Sequence, residues 1–541
     1  MTKMILQTVT LLIALLACAG CVEDESTTGD AFVDNDNTYS PAVMRNLMDE
    51  HEQKVISYFT AGANSATGMA YNSSTDKATL TTGASGFGIM SLVVGVERGW
   101  LQRDEAVDQI VRIVRFLKKA DRFAGAWAHW YNQSGKIVPF GNQNQAGEIV
   151  ETAFMMGGLL TACEYFNGNS AGEIEMREAT EYFWNTIEWN HFVRNGHMYW
   201  IWHQDSDSYE LPLIGWHETL LVYVLAMAAP EEHRVSESVY RSCWQGYNFS
   251  HSGRETYGYE LPLGSDLGGP LFLSQYSFLG LDPRRMMDSH CYYWAQNQNH
   301  TMVNRHYCVY EAPADNMYSA SNWGLTACGG CGSHPAYLSR DPENDDGVIA
   351  PTAAISAFPY TPFYSAQVLL NLERNYPKLN GKYGFGVAYC PAEKAVSSEY
   401  LAMEHAPMAI MMENYRSGLI WKLLMRNALV QRGLQAAGIA EPKNLRGFAN
   451  AVADTRTGAY DMMRHPDHEV YEIDYHAGSA GKGTLTLANM KGEIVYGTEV
   501  DLTVGANTIA FFDSSIMRGK RYVLTVSESG SAAASIDVVL R

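Results

Sequence analysis

The sequence is short of positive charge. Lys and Arg number 39 against 59 Asp and Glu, a formal net charge of −20 over 541 residues. Phosphate backbones are bound through Lys and Arg, so nucleic acid is excluded as a partner. Polyanionic polysaccharides are disfavoured on the same ground, and a neutral partner fits best. The chain also lacks the spacings that announce a cofactor. Its 16 His include no HExxH and no close pair on a helix, and there is no GxSxG elbow, Walker loop or GxGxxG fingerprint. No metal and no cofactor are expected. Cysteine supplies no framework either. Beyond Cys18 and Cys21 seven remain, widely spaced and odd in number. Cys328 and Cys331 form a lone CxxC, read as a loop with or without a local disulfide. Long hydrophobic runs are missing too: the apolar stretch from Met4 through Leu16 falls short of the ~20 residues a membrane span needs.

That stretch is instead a targeting segment, to be set aside from the fold. Lys3 precedes it and "LLACAGC" follows, so residues 1–21 read as a lipoprotein signal. Cys21 is the residue expected to carry the lipid, with Cys18 as runner-up. Residues 22–40, "VEDESTTGDAFVDNDNTYS", are acidic and polar, a solvated tether. Acids directly after Cys21 resemble the surface-export signal of Bacteroidetes lipoproteins. The expectation is a monomer anchored in the outer membrane, facing outward, with the periplasmic face as the alternative, and touching the membrane only through its lipid.

Residues 41–440 read as helical, with apolar or amphipathic segments at 41–59, 85–98, 103–119, 145–166, 172–188, 213–229, 233–246, 270–279, 283–297, 350–357, 363–374 and 407–437. Roughly a dozen helices in one stretch, several apolar nearly all round, is the count for an (α/α)6 toroid. The expected class is mainly α. After Pro442 the pattern changes to period two, with Gly and Asn at the turns. Residues 467–541 are expected to form a small antiparallel β-sandwich that packs or orients, with residues 441–466 as a linker.

Against this apolar background a few acids stand out. Glu148 and Glu151, in "AGEIVETAFMMGGLL", are three apart and share a helix face. An unpaired buried carboxylate is costly, so the pair either meets cations or lines a wet cavity. Glu218, in "GWHETLLVYVLAMAA", sits in the first turn of an apolar helix, and Glu404, in "MEHAPMAIMM", precedes a helix whose first turn is set by Pro407. Such carboxylates at the loop-proximal ends of apolar helices suit glycoside hydrolysis, which needs one protonated acid and one base. Glu218 is expected to have its pKa raised by desolvation. Trp127, Trp130, Trp200, Trp202, Trp216 and Trp323, with His129 and His203, are candidates for sugar platforms and hydrogen-bonding partners. Glu413 and Arg416 are expected to pair with each other; Asp345 and Asp346 are expected to cap or hydrogen-bond, with a place at the cleft rim as the alternative.

The blocks "GASGFGIMSLVVGVERGWL", "KADRFAGAWAHWYNQSGKIVPF", "GEIVETAFMMGGLLTA", "GPLFLSQYSFLGLDPR", "NQNHTMVNRHYC", "DGVIAPTAAISAFPYTP" and "MENYRSGLIWKLLM" together resemble the glucoamylase-like bacterial proteins of glycoside hydrolase family 144. The likeness runs over residues ~45–435, in order. It implies an (α/α)6 barrel acting on β-1,2-glucan with inversion. By the resemblance, the family's Asp-x-x-Glu pair falls on Glu148 and Glu151, its acid before the apolar helix on Glu218, and its "DQGP" aspartate on Glu404. Here Glu stands for Asp at 148 and 404, and the tetrad reads "EHAP". Each exchange displaces a carboxylate by about one methylene, which matters for a positioned base.

The function expected from the sequence is therefore a cell-surface glycoside hydrolase cleaving a neutral β-glucan, β-1,2-linked, by inversion. Glu218 is the acid, Glu404 the base, Glu148 and Glu151 bind sugar hydroxyls, and Glu151 is the reserve catalytic group. Two rivals remain: a surface glycan-binding lipoprotein without activity, and a polysaccharide lyase on a similar toroid.

Overall fold

The computed structural model describes residues 40–141, 144–529 and 533–541. The signal segment 1–21, with Cys21, and the tether up to residue 39 lie outside the described residues.

The helices fall into two kinds. α1 (Pro41–Phe59), α3 (Arg103–Leu117), α5 (Ala171–Thr186) and α10 (Pro362–Asn375) bury one side or the greater part of their surface and keep most of their charged residues outward, Glu52 and Glu173 being buried. α2 (Gly83–Glu97), α4 (Ile149–Tyr165), α6 (Leu220–Ala228), α9 (Pro351–Ile355) and α11 (Ala402–Arg416) are buried almost all round. Between them lie the short α7 (Glu237–Ser242), α8 (Tyr293–His306), α12 (Leu419–Arg426) and α13 (Ala428–Ala437). A helix apolar on every side has to be enclosed by other elements, and these are: α2 packs on α4, α4 on α6, α9 on α11, and α11 back on α2. Two 3-10 turns, Leu271–Ser274 and Ser277–Leu279, complete the circuit. Ser277 Oγ accepts from the Leu221 amide at its α6 side, and Gln275 donates to the Ala353 carbonyl of α9. Glycines let α2 and α4 approach closely: a Cβ on Gly158 would stand 2.1 Å from the Gly86 carbonyl.

Several sequence expectations shift here. The segment 270–279 forms 3-10 turns, and the helix placed at 283–297 is found at Tyr293–His306. The helix expected from 213 begins at Leu220, so Glu218 stands in the turn before it. α11 begins at Ala402, which places Glu404 inside its first turn and Pro407 within the helix. Cys328 and Cys331 are both thiols. Cys331 instead exchanges a thiol hydrogen bond with Cys390.

Eight strands follow: β4 (Gly447–Phe448), β5 (Tyr460–Met462), β6 (Tyr471–Ala477), β7 (Gly481–Asn489), β8 (Ile494–Leu502), β9 (Gly505–Phe511), β10 (Arg521–Glu528) and β11 (Ala534–Leu540), numbered after the three strands of the helical region introduced below. One sheet has the order β4-β6-β9 and the other β5-β11-β10-β7-β8, and an apolar cluster including Ile473, Leu485, Phe511, Leu524 and Val538 is drawn from both. All pairs are antiparallel except β5 with β11. Residues 441–466, read as a linker, thus give one short strand to each sheet; segments of two and three residues are too brief to show a period.

The sheets dock where α2 and α11 end. Arg416, at the C-terminus of α11, bonds Asp467 from the sheet side and Glu52 and Asp49 of α1. Arg98, just past α2, bonds Glu413 at 2.6 Å. Glu413 and Arg416 therefore do not pair with each other: each reaches across to another element, because both lie on the buried surface of α11. Arg305 to Asp454 and Tyr364 to Asp461 add to the joint. The 15 residues of α2 rise by about 22 Å, so the sheets sit at the far end of the bundle from the N-termini of the buried helices α2 and α11.

Candidate active site

Those N-termini gather the acids. β1 (Ala146–Glu148) runs into α4, pairing with β2 (His197–His203), which in turn pairs with β3 (Ser208–Pro212). Glu148 is the residue before α4 and Glu151 lies in its first turn. Glu151 Oε2 accepts from the Gly83 amide, the first of α2, at 2.6 Å. A helix N-terminus carries partial positive charge and unpaired N–H groups, which is why a carboxylate settles there.

Glu148 and Glu151 meet a cation, His129. His129 Nδ1 donates to Glu148 Oε2 at 2.8 Å and stands 3.9 Å from Glu151 Oε1. Burial alone would lower the imidazole pKa, but the two carboxylates outweigh it and raise it to about 9. Trp200 Nε1 donates to the same Glu148 oxygen at 3.1 Å. The other Glu148 oxygen is buried and has no hydrogen-bond partner among the described residues. Glu151 is pushed up by burial, a shift His129 opposes and Glu148 reinforces. Phe140 stacks on His129 at 4.3 Å, and Trp130 meets both rings edge-on, so an aromatic wall flanks this side.

Glu218 stands at the next helix. Its backbone carbonyl accepts from Ser277 Oγ, which ties the turn to the 3-10 segment. Burial lifts its carboxyl to about 7 and pushes its neighbour His217 down to about 4, so the imidazole beside it is neutral and does not hold the acid ionised. Glu404, in the first turn of α11, is raised well above the ordinary range by burial; a hydrogen bond from Tyr337 and the charge of Arg340 oppose this. Arg340 is itself fully enclosed, bonding Asp346 and the Cys328 carbonyl. Asp345 is a hydrogen-bond hub for Tyr307, Asn316 and Tyr318.

One tyrosine links the three acids. Tyr276, in the 3-10 segment, feels the charges of Glu404, Glu218 and Glu151 together, and Tyr337 feels those of Glu404 and Glu218. Carboxylates 253 residues apart at most, Glu151 to Glu404, are thus grouped around one ring. Phe87, Phe154 and Phe272 clamp the Tyr276 ring. Tyr276 and Tyr337 were not singled out from the sequence. Among 32 tyrosines neither has a local signal, although Tyr276 lies within the quoted block "GPLFLSQYSFLG".

The tryptophans divide. Trp130 and Trp200 stand beside the acids. Trp127 and Trp323 are fully buried and offer no face to a ligand; Trp127 instead donates to the Leu117 carbonyl and packs edge-on against Phe183. An indole is large enough that enclosure in the core is its commonest fate. Trp202 is taken up by Asp207 and His191, and His203 Nε2 stands 3.4 Å from Glu210. Trp216 packs against Trp244, Phe278 and Tyr293 and borders an open pocket.

A family model described as "Putative glucoamylase" matches residues 210–428, the stretch that carries Glu218, Tyr276, Tyr337 and Glu404. A crystal structure from Bacteroides uniformis, described in the same words, shares 38% identity, with 74% of this chain and 98% of that one covered at a TM-score of 0.71. The endo-β-1,2-glucanase from Chitinophaga pinensis shares 36% identity, covering 74% and 99%, at a TM-score of 0.69. The chain belongs to the glucoamylase-like family that includes β-1,2-glucanases. An exo-β-1,2-glucooligosaccharide sophorohydrolase from Parabacteroides distasonis is 36% identical over 423 residues, 74% of this chain. This chain spans 58% of the length of that relative. Within the glucoamylase-like family, relatives this similar thus include one described as endo-acting and one as exo-acting.

Proposed function

We propose that this chain is a glycoside hydrolase, an (α/α)6 toroid that cleaves β-1,2-linked glucan with inversion. The buried circuit of α2, α4, α6, the 3-10 turns, α9 and α11 forms the inner ring, and the carboxylates at its N-terminal end form the site. The observation that carries the chemistry is Glu218: a carboxyl held near pKa 7 by burial, in one hollow with Glu404 and Glu151. It is protonated often enough at neutral pH to donate to a departing glycosidic oxygen. Glu404 is the base, acting on water directly or through a sugar hydroxyl; Tyr337 and Arg340 both favour its carboxylate. The free oxygen of Glu148, with His129 and Trp200 holding the other, is set to accept a sugar hydroxyl. Glu151 is the reserve base. The similarity to β-1,2-glucan hydrolases supports the linkage, and the negative net charge supports a neutral substrate. Cys21 would anchor the protein as a monomeric lipoprotein of the outer membrane, a reading that rests on the N-terminal sequence alone.

Purified protein incubated with a panel of linkage-defined glucans should release products only from the β-1,2 polymer, with the α-anomer seen first by NMR. Glu218→Gln should lower turnover at least a thousandfold, leaving the melting temperature and glucan binding in place. Wild-type rates in that variant would remove Glu218 from the mechanism. One observation favours a second reading, a surface protein that binds glycan without cutting it: burial disfavours the ionised form of Glu404 that a base requires. Tight binding of the glucan with no reducing sugar released would decide for that reading.

A further inference from the structure

Beside Glu218 the surface opens into a cavity of about 760 Å³, within the size range of ligand pockets. Its walls come from three places: Ile214 to Trp216, which lead directly into Glu218; Tyr247, Asn248 and His251; and Ser265, Asp266 and Glu343. Glu343 belongs to the loop that follows Tyr337 and Arg340. Two of the walls are therefore continuous in the chain with groups that face the acids. Tyr247 is 81% exposed, unusual for an aromatic ring that takes no part in a ring contact among the described residues. Its backbone lies against a neighbouring turn. Gly215 has φ +85°, and a Cβ on it would stand 3.0 Å from the Tyr247 carbonyl; Gly264 similarly lets its loop lie against the Trp216 ring.

The lining has no Lys or Arg, which argues against an anionic ligand. Asp266 is engaged by Arg254. What remains is an exposed ring, an indole edge, and amide, hydroxyl, imidazole and carboxylate groups. A sugar has an apolar C–H face and a rim of hydroxyls, and this lining matches both. The lining includes none of the four acids, and the cavity adjoins the site through Ile214 to Trp216, two residues ahead of Glu218.

We propose that this cavity is a glucosyl-binding subsite on the leaving-group side of Glu218, with Tyr247 as its stacking platform. It rests on the hydrolase reading above and adds to it the place where the part of the chain beyond the cut bond is held. A platform there makes catalysis depend on chain length. Stacking of this kind is worth about a factor of ten in binding.

The test uses linear β-1,2-glucooligosaccharides of graded length, tagged at the reducing end, with the wild type, Tyr247→Ala and Tyr247→Trp. In Tyr247→Ala, kcat/KM for the longer chains should fall about tenfold more than for the shortest chain cleaved, and the tagged product should change length. Tyr247→Trp should restore both. Melting temperatures should agree among the three, since the ring is exposed. A wild type that cuts none of these chains overturns the hydrolase reading, and the glucosyl occupant with it. An active wild type whose Tyr247→Ala variant loses nothing, loses rate equally at every length, or yields tagged products of unchanged length overturns the subsite alone.

Discussion

Glu218 and Glu404 are both raised by burial, yet their surroundings differ in one respect that chemistry can use. Glu218 has no strong partner for its charge, since His217 is neutral, whereas Glu404 has a hydrogen bond from Tyr337 and the charge of Arg340 in favour of its carboxylate. The acid is thus left unaided and the base is given help. A general acid must enter the reaction protonated, so kcat/KM should fall as pH rises through about 7, the value to which Glu218 is lifted. Tyr337→Phe removes a hydrogen bond that favours ionised Glu404. The acid limb of the rate profile should then move to higher pH while the basic limb stays. An unchanged acid limb would assign the base to another carboxylate. Acids within apolar runs could be read from the sequence because they break a pattern. Tyr276 and Tyr337 could not, because a tyrosine breaks none, and Trp127 and Trp323 were over-read because an indole in the core and an indole at a sugar site look alike in one dimension.

Among the elements, the buried helices α2, α4 and α6 were legible as runs without a polar face. α8 was not. Its sequence "YWAQNQNHTMVNRH" is polar, yet Gln296, Asn297, Gln298, His300 and Asn304 are all buried. They are tolerated because they are hydrogen-bonded, mostly to main chain: Gln298 donates to the Tyr360 carbonyl, Asn304 both donates to the Leu325 carbonyl and accepts from its amide, and Asn297 donates to the Tyr360 hydroxyl. Hydrophobic periodicity assigns such residues to the surface, and so it misplaces the helix. The α2–α4 contact is another matter of element scale. With Gly158 against the Gly86 carbonyl, a methyl group has nowhere to go. Gly158→Ala should force the two helices apart and destabilise the fold by ~1–3 kcal/mol, read by chemical denaturation. Because both helices present the candidate carboxylates or their donors at their N-termini, activity should fall in folded protein as well.

On the scale of the molecule, the joint between helices and sheets is built from buried charge. Arg416 and Arg98 are shared among Glu52, Glu413, Asp49 and Asp467, more acids than bases. Burial, only partly offset by Arg416, lifts Glu52 to about 8 from an ordinary 4.5. A carboxyl whose folded pKa lies above its unfolded value supports the fold fully below the lower value and loses that support as pH rises to the higher. Wild-type stability should therefore decline between about pH 4.5 and 8 through this group. Glu52→Gln, neutral throughout, should melt close to wild type near pH 4.5 and above it at pH 8; a constant difference would show that Glu52 does not titrate in that window.

The same joint gives the protein a direction. α1 starts at Ser40 and Pro41, and Arg45 in its second turn bonds Glu469 of the sheet region at 3.1 Å. The start of α1 therefore lies beside the sheets, and the carboxylate cluster lies at the opposite end of the buried helices. A partner seated on the sheets would thus leave the acid cluster uncovered.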